Sequence, residues 1–307
     1  MMISIIIPIY NSEKTIKTVV ERIQLTLLNK IKYEIILVND GSEDNSLSIC
    51  RTLREKYKFI ILLNLSKNFG QHAAIFAGLN YATGDYIVFL DDDLQTPPEE
   101  IINLIVKLEE GYDVVYANYK SKKHSKFQNL GSKINNIMAN VILNKPKKLQ
   151  ITSYFIIKKF VANEILKYTG PYPYLGGLVM RSTNNIGILN IDHKERAFGK
   201  TNYNFIKLFR LWLNGYTNFS IKPLRISFIL GISISIISFI LAIFFIIKKI
   251  IDPNIFIGWT SIIVALFFLF GLELILVGFI GEYVGRIFLT LNKQPQYVIK
   301  DIYNNKK

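Results

Sequence analysis

The chain has 307 residues, 50% of them hydrophobic, and carries 37 Lys and Arg against 23 Asp and Glu, a formal charge of +14. Its mean hydropathy of +0.27 is high for a soluble protein, which points to a membrane part. The single cysteine, Cys50, excludes an internal disulfide, and the positive balance suits nucleic acid, anionic lipid or phosphorylated ligands without choosing among them.

The first residues, MMISIIIPIYNSEKT, lack the basic leading segment of a signal peptide and turn polar at once, so they read as a first strand, SIIIPIY (4–10). Apolar β-rich runs then alternate with helical patterns: a helix after Ser12, EIILVND (34–40), a helix after Asp44, FIILLNLS (59–66), a helix from about Gln71, YIVFLD (86–91), a helix in PPEEIINLIVKLEEG (97–111) and DVVYANY (113–119). The runs are continuous, as in parallel strands covered on both faces. Pro97 and Pro98 suit a first helical turn, Glu99 and Glu100 its positive end, and Gly111 its stop.

After Tyr119 the chain turns basic, with apolar residues at helical spacing around Ile134, Ile137, Met138, Val141 and Ile142. Strands in ITSYFIIKK and IGILNIDHKER follow, then an aromatic, basic helix around Trp212 that suits a membrane surface. The apolar runs Ile226–Ile247 and Ile255–Gly281 each reach the roughly 20 residues that span hydrocarbon. Arg210, Lys222, Arg225, Arg286 and Lys293 flank this pair, with mainly Lys248 and Lys249 between the two runs. A multi-pass protein of the cell inner (cytoplasmic) membrane is expected, with the large N-terminal part and both termini in the cytoplasm. Glu273, expensive in lipid, is expected to face the other helix, a neighbouring subunit or the interface.

Three adjacent carboxylates, Asp91, Asp92 and Asp93, end the fourth apolar run. They repel one another and lose hydration there, so a cation or a set of donors has to offset the cost; the alternative is a solvated turn. Their position favours the first reading, because ligands of open α/β sheets bind at the edge where strands end and helices start. PIYNS, VNDGSEDNS and LSKNFGQ follow the first three strands along that same edge. Asp40, before Gly41 and Ser42, suits hydrogen bonds from a base or ribose at a tight turn. Asp91 and Asp93 are spaced to address one hard divalent cation, Mg²⁺ or Mn²⁺, with the Gln95 amide oxygen as a further ligand. An EF-hand is excluded by Thr96 where its glycine belongs, and an aspartyl-nucleophile phosphatase by the motif's place after the fourth strand.

The strings IPIYNS, VNDGSEDNS, NFGQHAAIFAGLNYATGDYIVFLDDDLQTPPEE, RAFGKTNY and GFIGEYVGRIF together resemble family 2 glycosyltransferases of the GT-A fold. Within that family the chain is similar to the membrane-bound polyprenyl-phosphate branch, the kin of dolichol-phosphate mannose synthases and bacterial O-antigen-modifying bactoprenol glucosyltransferases. The resemblance covers nearly the whole chain. It implies an α/β fold: a Rossmann-like, mostly parallel GT-A catalytic domain followed by two C-terminal transmembrane helices. The expected division is a nucleotide-sugar and metal-binding half (1–120), an acceptor-side half with interfacial amphipathic helices (121–225), two transmembrane helices (226–281) and a basic cytoplasmic tail (282–307).

By the same resemblance Pro8, Tyr10, Asn11 and Asp40 hold the nucleotide, with Lys67 and Asn68 near it and Asp92 close to the donor. Asp91, Asp93 and Gln95 bind the Mg²⁺ or Mn²⁺, while Arg196 and Lys200 meet phosphate charge on the acceptor side, with Thr201 and Tyr203 nearby. The expected catalytic set is Asp91, Asp93, Arg196 and Lys200. Three positions depart from the family pattern: Ser12 stands where a Glu is usual, Asn202 where a Lys is frequent, and Phe155, Ile156 and Ile157 where relatives have an Asp-Phe-Arg-like stretch.

A hydroxyl acceptor generally needs a positioned carboxylate or His base, whereas a lipid phosphate, with a second ionisation near ~6, is already anionic at neutral pH. GPYPYLGGLVMRS, where hydroxyl-accepting relatives tend to carry a Glu-Asp pair, has no acid. The expected reaction is therefore inverting transfer of a sugar from a nucleotide-diphosphate donor to polyprenyl (undecaprenyl) phosphate. Two other readings stay open: a hydroxyl of a lipid-linked saccharide as acceptor, with Asp192, Glu195 or Glu164 as base, and a catalytically silent, membrane-anchored nucleotide binder. His72, His124 and His193 show no zinc spacing. The expected partners are a nucleotide-diphosphate sugar, polyprenyl phosphate and membrane lipid, with no nucleic acid, and homo-oligomerisation through the transmembrane helices is open.

Overall fold

The computed structural model describes residues 1–119, 149–170, 173–191, 258–292 and 295–304, together with scattered helical positions between 229 and 251. Two compact units divide the chain: Met1–Trp212 with Lys293–Lys307, and Leu213–Asn292.

The first unit is built on a sheet of eight strands: β1 (Met2–Ile9), β2 (Lys32–Asn39), β3 (Ile60–Leu65), β4 (Tyr86–Phe89), β5 (Val114–Tyr119), β6 (Phe155–Lys158), β7 (Ile186–Ile191) and β8 (Ile299–Tyr303). Their order is β7-β5-β6-β4-β1-β2-β3-β8. The pairs β1–β2, β1–β4, β2–β3 and β5–β7 are parallel; β6 runs antiparallel between β4 and β5, and β8 antiparallel to β3. This is the expected mostly parallel α/β sheet. The sequence reading placed strands at β6 and β7 without assigning them partners.

Helices α1 (Ile16–Leu27), α2 (Ser46–Lys56), α3 (Gln71–Leu79), α4 (Ile101–Glu109), α5 (Lys159–Leu166) and α6 (Leu175–Ser182) complete the unit. Strand side chains alternate between faces, so Ile3, Ile5 and Ile7 of β1 join Ile35 and Leu37 of β2 in a core with α1, α2 and α4. α1 supplies Ile16, Val19, Val20, Ile23 and Leu27 at helical spacing, and α4 supplies Ile101, Leu104, Ile105 and Leu108. Ile6 faces the other way, onto α3. There a Cβ on Gly78 would stand 2.6 Å from Ile6 Cγ2 and 3.1 Å from Val38 Cγ2, so a glycine lets α3 lie flat on the sheet. Truncating a side chain in such a wall, as in Ile6→Ala, costs about 2–5 kcal/mol.

β8 is a strand within the stretch expected as a basic tail (282–307). Its sequence, IKDIY, is short and half exposed, which hides it from pattern reading. What selects it is the open edge of β3, whose backbone groups need partners. Asn64 Nδ2 donates to Asp301 Oδ2 at 2.8 Å while Asn64 Oδ1 accepts from Asn39 Nδ2 at 2.9 Å, and Arg51 lies 5.1 Å from the Tyr303 ring centre. Just before β8, Gln296 Nε2 donates to the carbonyls of Tyr168 and Gly170 at 3.1 and 2.7 Å.

In the second unit α7 runs Trp259–Leu291, beyond the expected end at Gly281. Its stretch Leu269–Leu291 is long and apolar enough to cross a membrane, one such helix among the described residues. Glu273 is exposed on it. Arg286 pairs with Glu282 one turn away at 2.5 Å, which mutes both charges in an apolar helix. Every described position between 229 and 251 is helical, and the rest of the first expected span lies outside the described residues, as does the basic stretch around Ile137.

Candidate active site

Because β1 to β4 are parallel, their carboxyl ends and the four following loops share one edge of the sheet. Pro8 is buried within β1 beside Val38, and Tyr10, 39% exposed, stands at the rim. Asn11 adopts the left-handed φ of 54°, which a short polar side chain tolerates. That turn lets its N–H donate to Ser42 Oγ at 3.1 Å while its Oδ1 accepts the Glu43 N–H at 2.9 Å.

Asp40 is only 3% exposed, and its two oxygens accept the N–H groups of Phe69 and Gly70 at 2.7 and 2.8 Å. Burial raises its pKa, against the opposing pull of those two N–H groups. Asp40 thus shapes the loop after β3 directly. Gly41 has φ +65°, and a Cβ on it would stand 2.5 Å from Asn68 N and Lys67 C. Only glycine allows the Lys67–Asn68 backbone to lie against this turn. Lys67 Nζ is 5.3 Å from the Phe69 ring centre.

The acidic triplet is a junction between loops. Asp91 Oδ1 accepts Gln71 Nε2 at 2.8 Å, and its Oδ2 accepts the Ser153 hydroxyl. Asp92 Oδ2 accepts the Ser12 hydroxyl and the Tyr10 N–H, the latter at 3.3 Å. Asp93 Oδ1 accepts the Gln95 N–H at 3.0 Å, across a turn closed by the left-handed Leu94 at φ 64°. A leucine in that region is strained, and such strain collects at functional sites. Burial, with the neighbouring carboxylates adding to it, pushes Asp91 up to about 7; burial likewise pushes Asp92 up to about 6.

These residues fit a divalent cation. Among the described residues no Lys, Arg or His forms an ion pair with Asp91 or Asp92. Two crowded carboxylates held toward their neutral forms are what a hard cation would return to the ionised state. Among the described residues no three or more His, Cys, Asp or Glu side chains gather into a metal cluster.

Sequence reasoning missed Gln71 and Ser153 and undervalued Ser12. Gln71 opens α3 inside a motif already singled out, so its reach to the triplet was a signal within grasp. Ser153 lies 62 residues beyond Asp91 with no motif between them, and Ser12 was registered only as a missing Glu. The Phe155 departure has a packing explanation: its ring stacks against Phe89 at 4.4 Å and Tyr116 at 4.8 Å. Arg196, Lys200, Thr201 and Tyr203 lie outside the described residues, as do Asp192, His193, Glu195, Asn202 and Trp212.

Beside Asp91 opens a cavity of about 170 Å³, lined among the described residues by Gln71, His72, Tyr116, Ser153, Tyr174 and Gly176 with others, none of them Asp, Glu, Lys or Arg. Burial pulls His72 down to about 4, so it is neutral at physiological pH, and its ring stands edge-on to Tyr174 at 5.4 Å.

Comparison with known proteins agrees with this geometry. The family model described as glycosyl transferase family 2 matches residues 4–166. The undecaprenyl-phosphate 4-deoxy-4-formamido-L-arabinose transferase of Proteus mirabilis is 33% identical over 99% of this chain and 95% of its own. A prophage bactoprenol glucosyl transferase homolog of Escherichia coli is 32% identical over 98% of this chain and 99% of its own. The crystal structure of glucosyl-3-phosphoglycerate synthase from Mycobacterium tuberculosis with Mn²⁺, UDP-glucose and glycerol 3-phosphate superposes with a TM-score of 0.52. It is 16% identical and covers 69% of this chain and 76% of its own, a likeness of fold. With its sheet-edge motifs, its family match and relatives aligned from end to end, the chain belongs to glycosyl transferase family 2, as a glycosyltransferase of the GT-A fold.

Proposed function

We propose that this glycosyltransferase moves a sugar from a nucleotide diphosphate to polyprenyl (undecaprenyl) phosphate at the cell inner membrane, for cell-surface glycan synthesis. The observation that carries the reading is the acidic triplet anchored at the sheet edge by Ser12, Gln71 and Ser153, beside a cavity whose described wall offers no carboxylate base. A phosphate acceptor needs no such base. Relatives named for undecaprenyl phosphate and bactoprenol, matched over nearly the whole chain, support the same acceptor.

In this reading the loops bearing Pro8, Tyr10, Asn11, Asp40, Lys67, Asn68 and Asp92 receive the nucleotide and its diphosphate. Asp91, Asp93 and Gln95 hold Mg²⁺ or Mn²⁺, which when bound supplies charge stabilisation to the departing diphosphate. Arg196 and Lys200, with Thr201 and Tyr203, attract the lipid phosphate. An anionic oxygen of that phosphate forms the new bond to the anomeric carbon as the bond to the diphosphate oxygen breaks, with inversion, and the nucleoside diphosphate leaves. Ser12 and Tyr10 hold Asp92, and Gln71 and Ser153 hold Asp91, so the carboxylates stay aimed while the donor changes.

The membrane reading is two spans with both flanks in the cytoplasm. β8 belongs to the catalytic sheet, so the chain that leaves that unit before Leu213 returns to it after Asn292 on the same side of the bilayer. That return supports an even number of crossings, with Leu269–Leu291 as one and the apolar segment Ile226–Ile247 as the other.

The test is purified full-length protein in detergent with undecaprenyl phosphate, Mg²⁺ and a panel of nucleotide sugars. Release of nucleoside diphosphate together with a glycosylated lipid phosphate is expected, and chelator should stop both. Transfer to a lipid-linked saccharide alone would replace the acceptor, and turnover untouched by chelator would remove the metal.

A further inference from the structure

Asn39, Asn64 and Asp301 stand in register on β2, β3 and β8, a polar row across three neighbouring strands. Both asparagines are buried. Asp301 Oδ2 accepts Asn64 Nδ2 at 2.8 Å, and Asn64 Oδ1 accepts Asn39 Nδ2 at 2.9 Å. Reversing both amides would keep the bond between the asparagines, so that pair alone does not choose its orientation. An ionised carboxylate only accepts, and it therefore turns the Asn64 NH₂ toward itself and the Asn39 NH₂ toward Asn64.

The row ends where the candidate donor loops begin. Asn39 directly precedes Asp40, whose carboxylate accepts the N–H groups of Phe69 and Gly70. On the next strand Asn64 is followed by Ser66, whose N–H donates to the Val298 carbonyl at 2.9 Å, and then by Lys67 and Asn68. Residues 298–301 thus hold both chain segments from which the Asp40 turn is built.

We propose that β8 positions the nucleotide site: Asp301 acts through Asn64 and Asn39 on Asp40 and the loop 67–70, so that docking of β8 and binding of nucleotide favour each other. The inference rests on the nucleotide reading of Asp40 and its loop, and makes that site depend on a strand far away in sequence. Reciprocity is a thermodynamic requirement. If docked β8 raises the affinity for nucleotide, nucleotide holds β8 down by the same factor. A short edge strand exchanges its amide hydrogens by local opening, so this effect is measurable. A strand that only completes the sheet would change the unfolding temperature and leave the affinity of the folded protein alone.

The experiment uses the full-length protein in detergent with Mg²⁺. Calorimetry with UDP, dTDP, GDP, ADP and CDP identifies the nucleotide that binds, and hydrogen exchange then compares the free and bound protein. Exchange should slow at Phe69 and Gly70 and also in β8, there by about fivefold or more. Asp301→Ala, studied well below its unfolding temperature, should weaken that nucleotide about fivefold to tenfold and raise KM for its sugar conjugate in step, with kcat unchanged. Asp301→Asn, which keeps an oxygen for Asn64 Nδ2, should recover most of the affinity. Lys300→Ala, exposed on the same strand, should match the wild type. Protection at Phe69 and Gly70 with none in β8 overturns the proposal and leaves the nucleotide reading standing, as does an Asp301→Ala protein that melts earlier yet binds nucleotide normally. No binding by any of these nucleotides, or binding that leaves Phe69 and Gly70 unprotected, overturns the nucleotide reading of Asp40 and this inference with it.

Discussion

The Ser12 hydroxyl donates to Asp92 Oδ2, joining the loop after β1 to the acidic triplet after β4. The two strands are neighbours in the sheet, so this bond sets the spacing between two loops that the proposed donor would bridge. A hydrogen bond to a charged group is worth about 1.5–3 kcal/mol. Ser12→Ala should therefore lower kcat/KM for the nucleotide sugar by about tenfold or more, with the fold intact by circular dichroism. Wild-type kinetics in that variant would mean that Tyr10 N–H alone positions Asp92.

Asp93→Asn keeps the shape of the turn at Leu94 and removes one ionised oxygen donor. Transfer should fall roughly hundredfold, in line with the loss of an electrostatic contact that acts on the leaving group. Titration with Mn²⁺ provides a separate readout, because the variant should need a higher metal concentration for half-maximal activity. A normal metal requirement would take Asp93 out of the ligand set.

The raised carboxylates also make stability depend on pH. Asp91 stands at about 7 and Asp92 at about 6, against an ordinary 3.8, so between these values the folded protein binds more protons than the unfolded chain. Stability of the metal-free protein should consequently fall as pH rises from about 4 to about 7. Mg²⁺ or Mn²⁺ should flatten that slope, and metal binding should release protons over the same interval. Thermal unfolding across this range, with and without chelator, measures the effect; Asp91→Asn should remove the larger share. A metal-free profile that rises with pH would reverse the assignment.

Asp301→Ala removes the acceptor of Asn64 Nδ2 at the edge of the sheet, a loss of about 1–2 kcal/mol. A chain ending at residue 294 should lose far more, since β3 then has no outer partner and Tyr168 and Gly170 lose Gln296. The unfolding temperature should drop slightly in the first variant and by many degrees in the second. An unchanged melting curve for the truncated chain would show β8 to be dispensable.

What could be read in advance followed local chemistry. SIIIPIY and EIILVND announce buried parallel strands because a strand covered on both faces must be apolar throughout, and Pro97, Glu99 and Gly111 mark a helix by their own backbone preferences. The triplet's location followed from the same alternation. The partners of its carboxylates did not: Ser153 reaches Asp91 only because β6 inserts antiparallel beside β4, a pairing that neither segment encodes by itself. Asp40 was visible as a sheet-edge acid, but its engagement with Phe69 and Gly70 depends on how the next loop folds back. β8 was hidden for a related reason, since half its side chains face solvent and its stability comes from backbone pairing with β3.

That last pairing also orders events in time. β3 is synthesised well before β8, with the apolar stretch of the second unit between them. On the ribosome this sheet therefore waits with one edge open while the apolar stretch emerges. An open edge is a template for pairing with another chain. Completion of the sheet is thus tied to synthesis through β8, and a ribosome that stalls within the apolar stretch leaves behind a sheet whose edge is unguarded.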